Sequence, residues 1–169
     1  MNMTQLIKNI IDGLIYLFIG PFTVIGTVPL LLLQLDASWG LPNFTSESMR
    51  FTGFMIMNLG ALLALWCTWL IFRHGGTPIP SRPAIMLVSS GPYAMVRHPM
   101  MHSLLIVGFG ELLVTGSLLF LIWIPIAMRA GVLFISHYEE PVLMARFGDQ
   151  YRSYCKNVPR WLPRRGMNP

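Results

Sequence analysis

Two stretches of this chain run for more than twenty residues without a charged side chain, and they limit the fold most strongly. They are residues 13–35 and residues 51–72. Because an α-helix rises about 1.5 Å per residue, each stretch is long enough to cross about 30 Å of hydrocarbon. Only 11% of the 169 residues are charged, whereas soluble domains have about 25%. The sequence therefore predicts an all-α integral membrane protein and excludes a soluble or disordered one.

Residues 99–138 predict a helical hairpin that adds two more apolar helices. The first helix is expected to begin at Pro99, because the missing N–H of proline costs little in the first turn of a helix. The turn-like residues around Gly116 separate the two helices. We therefore expect about four transmembrane helices in a single domain that comprises residues 1–169.

The distribution of positive residues predicts the orientation. Residues 73–99 hold three arginines and no acid, and residues 141–169 hold six basic residues and one acid. By the positive-inside rule, both segments and both termini are cytoplasmic. The apolar run at the N-terminus is too long for a signal-peptide core, so we expect it to be retained. The net charge of the chain is +5. Its positive residues flank apolar spans, which predicts contact with lipid headgroups and no binding of nucleic acid.

Candidate chemical groups gather where residues 73–99 meet the hairpin. This segment is too rich in glycine and proline for a long helix, and a loop of such length is usually functional or disordered. It ends with the aromatic ring of Tyr93, the guanidinium of Arg97 and the imidazole of His98. The alternative interpretation is a belt of interfacial Tyr and Arg anchors.

Glu139 and Glu140 are expected to end the last hairpin helix. A helix C-terminus favours cations, so two acids there suggest a ligand or a pairing with Arg97. The alternative is a pair of solvated acids at the membrane surface. At 100° per residue, Glu140 and Ser136 fall on the same helical stripe as Arg129.

Glu111 and Arg129 are charged residues inside apolar helices, where each costs about 2.5–3.5 kcal/mol. Arg129 matches the predicted depth of His102 on the facing helix. Arg129, His102 and Ser136 are predicted to line a cavity for the substrate. An interhelical hydrogen-bond network is the structural alternative. His98 and His102 have a spacing that suits a shared metal, but the surrounding residues do not match a metal motif, so we expect no metal. The two cysteines, at 67 and 155, indicate no disulfide framework.

Residues 141–169 begin with an amphipathic helix that is expected to lie on the cytoplasmic membrane surface and cover the 73–99 loop. Its apolar residues recur at helical spacing, and they are Leu143, Phe147, Tyr151, Tyr154 and Val158. Four residues that follow this helix are interpreted as interfacial anchors: Arg160, Trp161, Arg164 and Arg165.

Two segments of the chain carry a family resemblance. Residues 91–101 are GPYAMVRHPMM, and residues 138–163 are YEEPVLMARFGDQYRSYCKNVPRWLP. Together they resemble the integral-membrane methyltransferases, which include isoprenylcysteine carboxyl methyltransferases, phospholipid N-methyltransferases and prokaryotic relatives. The resemblance covers about residues 75–163. It implies a multi-pass protein of a prokaryotic cytoplasmic membrane that transfers a methyl group from S-adenosylmethionine to a lipophilic acceptor.

The resemblance also implies which residues bind S-adenosylmethionine, namely Leu87, Val88, Tyr93, His98, Pro99, Met101, Glu139 and Glu140. The donor has a sulfonium, an ammonium and a carboxylate, for which aromatic faces, glutamates and Arg97 are matching partners. The resemblance names no catalytic base.

Two departures from the family pattern leave the acceptor open between a phospholipid amine, a thiol and an isoprenylcysteine-like carboxylate. The family usually has a tyrosine at the position of Met101. Members that methylate a carboxylate have an arginine shortly before the glutamates, and this chain has none there.

Two other functions remain as alternatives. Met101 in place of the tyrosine favours a non-catalytic membrane scaffold of the same fold, since a fold does not imply a function. Glu111 and Arg129 in apolar helices favour a carrier of protons or small solutes.

Overall fold

The computed structural model of the protein describes residue 20, residues 22–75 and residues 84–163. Part of the predicted first span, part of the 73–99 loop and the last residues of the tail lie outside this set. The described residues form no strand, and they confirm the predicted all-α class.

Six α-helices occur in the described residues: α1 (Val28–Trp39), α2 (Glu47–Arg73), α3 (Pro92–Met95), α4 (Pro99–Thr115), α5 (Leu118–Phe134) and α6 (Glu140–Asn157). Two π-helical turns, Thr23–Thr27 and Ile135–Glu139, precede α1 and α6. In the described part of the 73–99 loop, the short α3 is the sole helix, which agrees with its content of glycine and proline.

Two helical stretches are long and apolar enough to cross a membrane. They are α2 and the continuous stretch Leu118–Asn157, whose apolar part is α5. Only 17% and 11% of their most apolar windows are buried inside the protein, so these helices differ from the core helices of a soluble protein. Leu59 and Leu65 of α2, for example, are 63% and 66% exposed. Apolar side chains that point outward along a whole helix are typical of contact with lipid.

The chain forms two compact units, each built from two segments. The first unit comprises Met1–Ala61 and Leu104–Arg129, and the second comprises Leu62–Ser103 and Ala130–Pro169.

Within the first unit, α2 and α4 approach each other at two glycines. A Cβ atom added to Gly110 would lie 2.5 Å from the Cγ of Met57 and 2.7 Å from the carbonyl oxygen of Gly53. A Cβ atom added to Gly53 would lie 2.7 Å from the carbonyl oxygen of Gly110. Real Cβ contacts are not this short, so only glycine permits the two backbones to meet here. Small residues serve this purpose in membrane helix pairs.

The hairpin turn lies at Gly116, as predicted. This residue has a φ of 63°, in the left-handed region that glycine adopts readily. Its carbonyl oxygen accepts a hydrogen bond from the N–H of Phe44 at 3.1 Å. Thr45 Oγ1 donates to the carbonyl oxygen of Leu113 at 2.8 Å. The start of α4 at Pro99 is also as predicted.

The last hairpin helix does not end at Glu139 and Glu140, so this expectation was wrong. The π-helical turn Ile135–Glu139 carries the helix directly into α6, and Glu140 lies in the first turn of α6. A π turn has i→i+5 hydrogen bonds and changes the angular register of the residues after it. The 100° arithmetic that placed Glu140 on the stripe of Arg129 therefore does not apply.

The tail helix α6 differs from the predicted continuous amphipathic helix at Gly148. This residue has φ 50° and ψ −121°, which are not helical values, so the helix is broken there. The apolar grouping of the prediction still holds, because the side chains named above share one cluster. Tyr151, Tyr154 and Val158 are buried, and Leu143 and Phe147 pack against them.

Candidate functional site

Five ionisable side chains of the second unit form a polar cluster, which we call the carboxylate cluster: Arg97, His98, Glu139, Glu140 and Arg160. Oε1 of Glu140 lies at its centre. It accepts hydrogen bonds from Nη1 of Arg97 at 3.1 Å and from Nε of Arg160 at 3.0 Å, and Nε2 of His98 lies 3.1 Å away. Oε2 of Glu140 accepts from Nη2 of Arg160. Such a bidentate pairing of arginine and carboxylate is among the stronger hydrogen-bonded contacts in proteins.

His98 lies between the two glutamates. Its Nδ1 is 3.5 Å from Oε1 of Glu139, its Nε2 is 3.1 Å from Oε1 of Glu140, and its side chain is only 3% exposed. Burial lowers the pKa of His98, but hydrogen bonds to Glu139 and Glu140 outweigh it, so the pKa is raised above its usual value. A ring with a carboxylate at each nitrogen is best matched as the imidazolium, which donates from both.

The pKa of Glu140 shifts in the opposite direction. Burial raises it, but the hydrogen bonds from His98 and Arg160 outweigh burial and lower the pKa to about 2. The Arg160 guanidinium has a raised pKa, first because of its hydrogen bond to Glu140. The three groups therefore hold each other in their charged forms.

The two glutamates differ in how fully they are engaged. Both oxygens of Glu140 accept hydrogen bonds, and its side chain is 18% exposed. Glu139 is 34% exposed, and its one charged partner among the described residues is His98 at 3.5 Å. Glu140 thus organises the cluster, whereas Glu139 presents a carboxylate with room for a further donor.

The carboxylate cluster also has an unused hydrogen-bond donor. Nε of Arg97 is buried and has no hydrogen-bond partner within the described residues. A buried donor without an acceptor is costly, so each such atom calls for an explanation. With His98 protonated, three cations face two carboxylates, and the cluster has an excess of positive charge.

Backbone contacts fix the loop that carries Arg97 and His98. The N–H of Arg97 donates to the carbonyl oxygen of Pro159 at 3.0 Å. The hydroxyl of Tyr154 donates to the carbonyl oxygen of Tyr93 at 2.7 Å. These two hydrogen bonds tie the residues before α4 to residues 154–159 of the tail. They agree with the expectation that the tail helix covers the 73–99 loop.

The apolar residues predicted to border the methyl donor pack beside these contacts. Leu87 packs against the buried tyrosines of α6. Val88 is buried with Leu70 and Ala84, and Tyr93 packs against that cluster. Pro99 is fully buried. The Sδ and Cε atoms of Met101 lie against Gly131, where an added Cβ would be 2.5 Å from Cε.

His102 contacts the end of the tail. Its Nδ1 lies 3.0 Å from the carbonyl oxygen of His98, and its Nε2 lies 2.8 Å from the carbonyl oxygen of Trp161. The ring of Trp161 lies 5.8 Å from that of His98 and 6.1 Å from that of His102.

Arg160 and Trp161, which are predicted to be interfacial anchors, also contact the cluster or its neighbours. Their partners lie at least twenty residues away along the chain, so no local sequence pattern indicates these contacts. The one signal was the pair of acids without nearby cations, which required partners from elsewhere in the sequence.

The remaining predicted substrate residues are not part of the carboxylate cluster. Arg129 is exposed on α5, and Ser136 is half-buried in the π turn. Glu111 lines an apolar groove of the first unit. The cavity that was inferred for Arg129, His102 and Ser136 stays a prediction.

A model of the phospholipid methyltransferase family matches residues 48–150. This match comprises more than half of the chain and includes the hairpin, Arg97, His98 and both glutamates. The chain belongs to the phospholipid methyltransferase family. The expected membership of the membrane methyltransferases is thus confirmed, and the scaffold and carrier alternatives are not favoured. No curated protein matches the chain. The matched residues end before Arg160 and Trp161. The part played by these two residues is therefore seen in the structure and not in the family match.

Proposed function

We propose that this protein transfers a methyl group from S-adenosylmethionine to a lipophilic acceptor in the membrane. Membership of the phospholipid methyltransferase family supports the reaction class. The observation that carries the proposal is the carboxylate cluster, in which a fully paired glutamate lies beside a partly exposed one and beside an arginine with a buried, unpartnered N–H.

The groups left free in the carboxylate cluster fit the amino-acid portion of the donor. Nε of Arg97 is suited to donate to a carboxylate. Glu139 is suited to accept hydrogen bonds from an ammonium, because its carboxylate has room for another partner. When bound, S-adenosylmethionine would supply a methyl group on a positively charged sulfur, for which the face of Tyr93 is a suitable neighbour.

Glu140 acts in this proposal as a positioning residue. It holds Arg97, His98 and Arg160 together, and its own oxygens are already occupied. A carboxylate bound at Arg97 would offset the excess positive charge of the cluster, and Glu139 would offset the charge of an ammonium. These two positions together suit a ligand that has both an anion and a cation.

We propose a phospholipid amine as the first acceptor to test, because the family takes its name from phospholipids. A lipophilic thiol and a carboxylate are the other classes. The two apolar helices and the family match support membrane association. We propose four crossings in a single membrane domain with both termini in the cytoplasm. The polar donor then enters from water, whereas the acceptor enters from the bilayer.

Methyl transfer is tested with the full chain in proteoliposomes that contain phosphatidylethanolamine. We expect label from methyl-labelled S-adenosylmethionine to appear in the lipid. Glu139→Gln removes a charged partner of the ammonium, and such bonds contribute about 1.5–3 kcal/mol, so donor affinity is expected to fall at least about tenfold.

Asp149→Asn is the matched control, because Asp149 is a carboxylate ten residues further along the chain than Glu139 that is 93% exposed. This variant should bind the donor as the unmodified protein does. Absence of transfer to amine, thiol and carboxylate lipids would contradict the proposed reaction. Equal affinity of the Glu139→Gln variant would contradict the role of Glu139.

A further inference from the structure

The first unit contains an apolar groove with one carboxyl group in its wall. The groove has a volume of about 270 Å³ and lies between residues 22–33 and the hairpin. Its apolar lining includes Ile25, Pro29 and Leu33, and Glu111 and Thr115 supply its polar side chains. Among the described residues that line the groove, none is a lysine, an arginine or a histidine.

The carboxyl group of Glu111 lacks a charged partner within this lining. The hydroxyl of Thr115 donates to the backbone carbonyl of Glu111 at 2.8 Å, so this hydroxyl does not donate to the Glu111 carboxylate. A carboxylate in apolar surroundings is expensive without a cation or a set of hydrogen-bond donors. A cationic ligand would supply the positive charge that the described lining residues do not.

The size and the lining of the groove select the kind of cation. Typical pockets for small molecules have volumes of about 300–1,000 Å³, so this groove suits a small head group and the first carbons of a chain. Apolar walls suit an alkyl chain, and Leu30 and Phe22 at the wall are half-exposed. A phosphodiester would meet no cation among the described lining residues and would be repelled by Glu111, which disfavours phospholipid headgroups.

We propose that this groove binds a single-chain lipophilic amine without a phosphate, with the ammonium paired to Glu111 and the alkyl chain against the apolar wall. The inference concerns binding in the first unit and stands independently of the proposed methyl transfer. The proposed site contains none of the five residues of the carboxylate cluster.

Binding is measured by calorimetry on the full chain in a nonionic detergent with three probes. They are dodecylammonium, dodecanol and a lysophosphatidylethanolamine with a chain of the same length. We expect dodecylammonium to bind at least about tenfold more tightly than either of the other probes. Equal binding of dodecanol would overturn the role of charge, and equal binding of the lysophospholipid would overturn the exclusion of phosphate. Absence of dodecylammonium binding would overturn the site.

Two variants and a control locate the binding. Glu111→Gln keeps the shape and should weaken dodecylammonium at least about tenfold while it changes dodecanol less than about twofold. Gly26→Leu should weaken both of these probes, because an added Cβ at Gly26 meets only ordinary contacts with Phe22 and the longer side chain occupies the groove. Glu47→Gln, at an exposed glutamate of α2, should change neither. Unchanged dodecylammonium binding in Glu111→Gln would refute the proposal.

Discussion

Glu140→Gln is expected to lower the free energy of unfolding by about 3 kcal/mol, because removal of the central partner from a partly buried network of ion pairs leaves the other charges uncompensated. Here the side chains that lose their partner are two guanidiniums and an imidazolium. Glutamine keeps the shape of the side chain and can still accept hydrogen bonds, but it has no negative charge. Chemical unfolding in detergent micelles measures the change.

Asp149→Asn is the control for loss of a carboxylate as such. Asp149 pairs with Arg152, and the two side chains are 93% and 66% exposed. Exposed pairs contribute about 0–1 kcal/mol, so this variant should unfold almost as the unmodified protein does. Equal stability of the two variants would show that the carboxylate cluster does not hold the second unit together.

Glu140→Gln should also change the dependence of stability on pH. The pKa of Glu140 is lowered from 4.5 to about 2, so its contribution is present above about pH 4.5 and is lost as the pH falls towards 2. The pKa of His98 is raised above 6.5, so its contribution is present below pH 6.5 and is lost as the pH rises through the raised value. Glu140→Gln should therefore flatten the acid side of the stability profile.

Gly110→Ala is expected to cost about 2–3 kcal/mol, which is the upper part of the range for an overpacked core. The new methyl group would lie 2.5 Å from Met57 Cγ and 2.7 Å from the backbone oxygen of Gly53. A backbone oxygen cannot turn away as a flexible side chain can, so α2 and α4 must separate. Thermal unfolding in micelles measures the loss.

Gly108→Ala, on the same helix, is the matched control for that substitution. A Cβ atom at Gly108 would lie 3.7 Å from the Cγ1 of Ile124, an ordinary contact. Alanine also favours helix over glycine by about 0.5–1 kcal/mol, so this variant should be equally stable or more stable. A Gly110→Ala variant as stable as Gly108→Ala would show that the two helices do not meet at these glycines.

Local chemistry explains which parts of the fold could be predicted. Pro99 begins α4 and Gly116 forms the hairpin turn because each position depends on the conformational limits of its own residue. Hydrophobic spacing grouped Tyr151 with Tyr154 correctly, since the same side chains share a core cluster. The helix break at Gly148 was missed because glycine is compatible with both outcomes.

The candidate site was predicted in part. The paired motifs pointed to Arg97, His98 and the two glutamates, and the structure brings these residues into contact. The helix register at Glu140 was missed, because a π turn inserts a step that periodicity at 3.6 residues per turn does not contain. Arg160 was missed because its pairing depends on the path of the tail, which no local pattern encodes.

Photo-crosslinking with labelled S-adenosylmethionine tests the central claim most directly. The full chain is irradiated in lipid nanodiscs, with and without excess S-adenosylhomocysteine, and the labelled peptides are identified by mass spectrometry. We predict competable label within residues 91–101 or next to Glu139, and its loss in the Glu139→Gln variant. Competable label confined to the first unit, or label that excess competitor does not reduce, would contradict a donor site at the carboxylate cluster.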